Sequence, residues 1–593
     1  MKGQKLKYVL ALLCVGGSSL MMLLPQQVIR FTVDAVIAGD DFSMPGFLER
    51  IYFALGGRHT FLSNLWLCGL LVLLIYLINS VFSFFRMWLN SSASQSATKK
   101  LKDRLYDHLN HMPYAAHVAA NTGDLLQRCS SDVETVRRFM STQIVEIVRT
   151  VFMFTFAMMI MLSMNKTMTF VTIIVVIPLL GFSVWFYKII RRTFIKVEEA
   201  EGRLSTVMQE NFTAVRVVRA FGQQKQEMEK FDTANGEFRE HSMQMNNHLS
   251  VFWSFTDFLI YGQVVITTVV GCILAFQGQI SVGMLMSFSS YATTLLWPVR
   301  QLGRVLSHLG RTSVALGRIK EVLDAPIEED PPDALTPTIR GDVVFDHVSL
   351  SYEDGREVLT DISFHAGVGE TIGILGTTGS GKSSMVQLLQ RLYEPDGGAI
   401  YLDGVNIKDI QLKWLRQHVG IVLQEPFLYS RTIMDNIRIT DPSLSHDEVM
   451  RAARIAQIDS LAREFDEGFD TMVGERGVTL SGGQQQRVAI ARMLLQDSPI
   501  MIFDDSLSAL DTETDAAIRK ALKENKRDRT TFIISHRVTT LFEADRILVL
   551  EDGRITQAGT HEELLALPGL YRNVWDIYGR MEIEALTKGG DGA

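Results

Sequence analysis

The pattern of apolar and polar positions changes character partway along the chain. Up to about residue 300 the apolar residues form long unbroken stretches; beyond about residue 340 they come in short β-branched runs between amphipathic segments. Six stretches, at about 8–28, 61–85, 143–163, 167–187, 251–276 and 280–299, are each near the ~20 residues a helix needs to cross hydrocarbon. They predict six membrane-spanning helices. Only "MNK" separates the third from the fourth and "QGQ" the fifth from the sixth, so those turns are tight. About 60 polar, helix-forming residues separate the second from the third and the fourth from the fifth. The Pro-rich, acidic stretch "VLDAPIEEDPPDALTPT" at 322–338 reads as a stiff, solvated linker. After it, "DVVFDHVSLSY", "TIGILG", "IMIFDD", "TTFIIS" and "RILVLEDGRI" alternate with helical segments, which predicts an α/β domain with a largely parallel sheet.

Charge orients the spans. Lys2, Lys5 and Lys7 precede the first; Lys99, Lys100, Lys102, Arg104, Arg137 and Arg138 fill the first long connection. Lys188, Arg191, Arg192, Lys196 and Arg203 begin the second, and Arg300, Arg304 and Arg311 follow the last span. The short loops on the other side hold only Arg50, Arg58 and Lys166. Both termini and both long connections are therefore expected in the cytoplasm. The basic, apolar beginning is read as a retained first span rather than a cleaved signal, because no small-x-small site follows. Composition agrees: 47% of residues are hydrophobic, high for a soluble chain of 593 residues. A net charge of −8 gives no nucleic-acid footprint. Cys14, Cys68, Cys129 and Cys272 lie far apart, which excludes a disulfide framework or a CxxC metal site.

The chemistry begins with "TIGILGTTGSGKSSMVQLL". Gly376, Thr377, Thr378, Gly379, Ser380, Gly381, Lys382, Ser383 and Ser384 form a P-loop between a strand and a helix. Its backbone N–H groups would close around ATP phosphates, Lys382 would reach the β- and γ-phosphates, and the Ser383 hydroxyl would bind Mg²⁺. This leaves several nucleotide-dependent enzymes open. Ser481, Gly482, Gly483 and Gln484, in "VTLSGGQQQRVAIARMLLQDSPIMIFDD", follow about 100 residues later and precede the acidic strand end by about 20.

Here the sequence resembles the ATP-binding cassette (ABC) transporter family, whose signature reads LSGGQ. The likeness extends to Tyr352 in "SYEDG", Gln424 in "IVLQEPFLYS", "SALD" at 508–511 and His536 in "IISHR". It implies that Tyr352 stacks on adenine, that Gln424 and Asp504 join Ser383 around Mg²⁺, and that the signature faces the γ-phosphate held by the other cassette of a dimer. Six spans and one cassette on a single chain resemble an exporter half. The stretches 113–136 and 210–231 match that branch's intracellular connections, each with a short coupling helix resting on a cassette, and Glu475 would add a contact to those helices. The expected architecture is a membrane α-helical domain at 1–321, a linker at 322–340, an α/β P-loop ATPase cassette at 341–578 and a tail at 579–593.

The family's competent members place Glu after the Mg²⁺-associated acid, where it polarises the attacking water. This chain has Asp505, one methylene shorter, which draws the carboxylate back by roughly 1.5 Å; a misplacement of about 1 Å can cost about 100-fold. With His536 and the signature intact, this resembles the degenerate-site subunit of heterodimeric bacterial multidrug ABC exporters. The partner would then be a second half-transporter carrying a normal Glu, and the cargo hydrophobic or amphipathic small molecules leaving across the plasma membrane. A homodimeric exporter, or a lipid or peptide translocator with Asp505 as a working catalytic acid, is the alternative; a non-transporting channel is a third reading. In the spans, Asp257 is a candidate for cargo contact or for a plain interhelical hydrogen bond. Glu146 and Arg149 are spaced to pair with each other. The 26 Met and 33 Phe residues suit an adaptable cavity, although most must face lipid or neighbouring helices.

Overall fold

The structure, a computed structural model, describes residues 5–40, 50, 52–54, 56–352, 355–459, 465–474, 477, 479–508, 510–524 and 529–579. It separates into two compact units, Met1–Asn110 with Asn121–Ala325, and His111–Ala120 with Pro326–Ala593.

Helices α1 (Lys5–Phe31) and α2 (Trp66–Asn110) open the first unit; α3 (Tyr114–Ala119) belongs to the second. Then come α4 (Ile144–Met164), α5 (Val176–Thr213), α6 (Val215–Ala220), α7 (Gln224–Phe276) and α8 (Val282–Asp324). Among the described residues five helical stretches, not six, are long and apolar enough to cross a membrane: Lys5–Ala38, Trp66–Asn110, Thr122–Met164, Lys166–Thr213 and Gln224–Phe276. Among the described residues the apolar part of α8 is shorter, Val282–Leu296. At 1.5 Å per residue, the 45 residues of α2 and the 53 of α7 extend about 68 and 80 Å, so their polar parts project well beyond ~30 Å of hydrocarbon.

The helices pack through apolar side chains. Leu23, Met153, Met161, Met168, Phe288 and Tyr291 are at most 1% exposed and form one cluster, so these methionines are packing residues. The buried Tyr291 hydroxyl donates to the Leu23 carbonyl (3.1 Å) and accepts from Gln27 (2.9 Å), which removes the penalty of burying it. On α2, Leu73 and Leu77 are 60% and 56% exposed; such a face is stable against lipid and not against water. The four cysteines are free thiols.

The second unit holds two sheets. β1 (Val343–Ser351), β2 (Glu357–Ala366), β4 (Gly397–Leu402) and β5 (Val405–Asn406) form an antiparallel sheet in the order β2-β1-β4-β5. The other sheet has the order β10-β9-β3-β8-β7-β6, built from β3 (Thr371–Gly376), β6 (Val419–Val422), β7 (Ile500–Asp504), β8 (Thr530–Ile534), β9 (Arg546–Glu551) and β10 (Arg554–Gly559). All its pairings are parallel except the β9–β10 hairpin. The expectation of a largely parallel sheet thus describes the second sheet and misses the first. Burial shows why: β7 is buried at every position, as a parallel strand covered on both faces is, whereas β1 alternates. Phe345, Ile362, Ile374, Ile502 and Phe532 join both sheets in one core, which fixes the strand ends that carry the site. α3 packs on this unit: Tyr114 meets Tyr393 edge-on at 5.5 Å, and the His111 carbonyl accepts from the Glu328 N–H (2.6 Å).

Candidate nucleotide site

The P-loop follows β3 directly and opens α9 (Lys382–Leu388). Its glycines are fixed by space: a Cβ on Gly376 would lie 2.3 Å from the Leu550 carbonyl oxygen, and one on Gly381, at φ +96°, 2.8 Å from that of Val358. Thr377, Thr378 and Gly379 are exposed at the mouth, and the buried Ser380 hydroxyl has no hydrogen-bond partner. Lys382 donates to the carbonyls of Gly376 (3.0 Å) and Thr377 (2.7 Å). Burial pushes its pKa down, while Asp505 and Asp504 pull it back up. A cleft of about 260 Å³ is lined by Tyr352, Gly379, Lys382, Ser383 and Ser384 among others. The Tyr352 hydroxyl sits 2.7 Å from Ser384 Oγ. Its ring has Tyr393 at 5.3 Å and the Arg356 guanidinium at 5.6 Å.

β7 delivers two acids to the same place. Asp504 accepts from Ser383 Oγ (2.8 Å), and burial holds its carboxyl above the usual carboxylate range. Such a hard-oxygen pair at a P-loop suits Mg²⁺. Asp505 is 8% exposed and held at φ +47°, a left-handed conformation that Asp tolerates better than most residues. Its N–H donates to the Ile534 carbonyl (3.0 Å). One carboxylate oxygen accepts from Gln424 Nε2 (3.3 Å) and lies 3.9 Å from His536 Nε2, beyond hydrogen-bond range; the other is buried without a partner. Gln424, expected at the metal, turns its carboxamide to Asp505. Lys382, Ser383, Ser384, Tyr352, Asp504, Asp505, Gln424 and His536 are thus gathered on adjoining strand ends, an arrangement able to hold a nucleotide triphosphate with its cation and to address one water.

The signature is built separately. Ser481 caps α10 (Gly482–Leu495) in a reciprocal capping box: its hydroxyl accepts from the Gln484 N–H (3.4 Å), and the Gln484 side chain accepts from the Ser481 N–H (2.8 Å). Both side chains are thereby used within the helix start, and a Cβ on Gly482 would meet open space. The residues lining the cleft do not include Ser481, Gly482, Gly483 or Gln484. Gln486, one turn along, donates to the Gln424 carbonyl (3.1 Å), tying α10 to the loop beside Asp505.

Asp257 lies half-buried on α7, in the membrane unit and not in the cleft. Glu475 and Ala509 lie outside the described residues. Glu146 and Arg149 do approach each other, at 3.6 Å. Sequence reasoning missed Arg356, four residues after Tyr352, and Tyr393, which only the tertiary fold brings from "RLYEP" to "SYEDG".

The comparisons fit this geometry. Residues 8–299 match the family model described as ABC transporter transmembrane region, and 359–508 that described as ABC transporter. The chain is 34% identical to the uncharacterized ABC transporter ATP-binding protein YknU of Bacillus subtilis, covering 93% of this chain and 92% of that protein. It is 32% identical to the probable multidrug resistance ABC transporter ATP-binding/permease protein YheI of the same organism, covering 100% and 98%. A solved structure of a bacterial Atm1-family ABC exporter with ATP bound superposes with a TM-score of 0.80 at 28% identity, over 96% of this chain and 99% of that one. The chain therefore belongs to the ABC transporter family, as an ATP-hydrolysing, multi-pass transporter of the bacterial plasma membrane with its membrane helices and cytoplasmic cassette fused in one polypeptide.

Proposed function

We propose that this chain is one half of an ATP-driven exporter that moves hydrophobic or amphipathic compounds outward, working as a dimer of cassettes. In this reading residues 1–321 form the transport part, with a sixth span completed by α8 beyond Leu296. Residues 322–340 link it to the cassette at 341–578, and 579–593 form a tail. Tyr352 stacks on adenine, Gly376 to Ser384 cradle the phosphates, and Ser383 with Asp504, joined by Gln424 once nucleotide is present, holds Mg²⁺. Ser481 to Gln484 complete the partner's site.

The observation that carries the reading is Asp505 at the end of β7, in the place of the water-polarising acid but one methylene short. We infer that the ATP site on this chain's own P-loop hydrolyses slowly and that a second, competent half-transporter supplies the faster site. The multidrug description of YheI supports a varied apolar cargo. A specific observation favours a second reading, a homodimer in which Asp505 works: its carboxylate already reaches Gln424 and lies near His536, with one oxygen unpartnered. Gentle extraction of the tagged chain from its native membrane separates the two. A distinct cassette chain recovered in equal amount, with ATPase activity that collapses when that chain's Glu is changed, supports the first. A self-paired chain that hydrolyses ATP briskly overturns it and establishes the second.

A further inference from the structure

Tyr352 forms a wall of two clefts. One is the nucleotide cleft; the other is a cavity of about 470 Å³, within the roughly 300–1,000 Å³ of small-molecule pockets. Every residue lining this second cavity belongs to the cassette unit. Its aromatic side is Tyr352 with Tyr393, their ring centroids 5.3 Å apart and their planes inclined at 46°. Leu350, Leu392 and Leu412 supply apolar surface. One edge is the stretch 327–329, and that edge is tied down. The Glu328 N–H donates to the His111 carbonyl (2.6 Å), and Arg416 grips the Glu328 carboxylate with both terminal nitrogens (2.7 and 2.8 Å). A wall held in this way is preformed, which spares a ligand the cost of ordering it.

Charge decides what fits. Three carboxylates line the cavity, Glu328, Glu329 and Glu394, against one cation, Arg391. Arg391 is spent on Glu394 (3.0 Å) and on the Ile410 carbonyl (3.2 Å), and Glu328 on Arg416. Glu329 is exposed and, among the described residues, has no ion pair. One negative charge is thus left beside two aromatic rings, a combination that recognises cations. The Arg391 side chain is only 7% exposed, and its Nε is buried with no hydrogen-bond partner, so one donor is also unused. We propose that this cavity binds an amphipathic organic cation. Its flat aromatic body lies among the tyrosines and leucines, its positive charge faces Glu329, and an acceptor oxygen meets Arg391 Nε. The site goes beyond the export function proposed above and does not depend on it.

The test uses the purified full-length assembly without nucleotide. The probes are berberine, a planar aromatic cation with ether oxygens, and 8-oxoberberine, the uncharged lactam on the same ring skeleton, with binding followed by their fluorescence. The parent protein should hold berberine about tenfold more tightly, a difference of about 1.4 kcal/mol. E329Q should cut that preference to about twofold or less and leave 8-oxoberberine unchanged, and E329K should reverse it. L412W, whose larger ring fills the cavity, should remove one bound molecule of each probe per chain. Y352A should weaken berberine as well as nucleotide, because its ring is common to both clefts. Equal binding of the two probes by the parent overturns the proposal. So does berberine binding that none of these variants changes, which would assign the cation to the membrane spans. Where L412W does not fold, E329Q alters only the charge of an exposed side chain and still decides. Loss of berberine from the cassette with transport intact leaves the export reading standing, and failed transport leaves the binding result intact.

Discussion

Asp505 follows the end of β7, and in the proposed reading its one missing methylene sets the rate. Its backbone is left-handed, which Glu adopts less readily than Asp, so D505E carries a strain of order 1 kcal/mol but returns the carboxylate to the longer reach. Steady-state ATPase at saturating Mg-ATP should rise about 10- to 100-fold in D505E, and D505N should bind ATP normally. An unchanged D505E with an inactive D505N would instead show Asp505 to be the working acid. Tyr352 offers a second test at this scale. Stacking of a base on an aromatic ring contributes about 1–3 kcal/mol, so Y352A should weaken binding of a fluorescent ATP analogue by about 5- to 150-fold. Y352F keeps the ring and loses only the contact with Ser384, so it should bind nearly as the parent does.

Helix starts do much of the positioning at the next scale. The buried carboxylate of Asp34, at the end of the first span, accepts from the Gly283 N–H (2.8 Å) and from Ser281 Oγ (2.5 Å), closing the first turn of α8. A Cβ at Gly283 would lie 2.5 Å from an Asp34 oxygen. G283A should therefore cost about 1–3 kcal/mol and lower the melting temperature in detergent, whereas V282A, at an exposed neighbour, should not. At α10, S481A removes the capping hydroxyl and about 1 kcal/mol of helix-start stability. Because the signature is outside its own cleft, S481A should lower ATPase turnover of the assembly and leave ATP affinity at Lys382 unchanged. Equal loss of both would place the signature's action within its own cassette.

For the whole molecule, the proposed reading has a second cassette complete the site. Nucleotide that binds only the folded cassette stabilises it by about 2.7 kcal/mol at a concentration 100 times its Kd. Mg-ATP should thus raise the melting temperature of the assembly, and chelation of Mg²⁺ by EDTA or the change K382A should abolish most of that rise. A rise that survives K382A would mean that the partner's P-loop dominates binding.

The sequence alone determined what depends on neighbours along the chain. Hydrophobic run length marked the spans, basic residues oriented them, and the P-loop glycines declared a phosphate cradle, because these properties are set by local backbone freedom and transfer to lipid. Five of the six runs are long and apolar enough to span among the described residues, and the sixth is a shorter apolar helix over Val282–Leu296. What only the tertiary structure decided involves groups distant in sequence. It placed β1 in a separate antiparallel sheet, turned Gln424 toward Asp505, and set Tyr393 beside Tyr352. Electrostatic balance is a sum over neighbours in space, and a chain read in one dimension does not contain that sum.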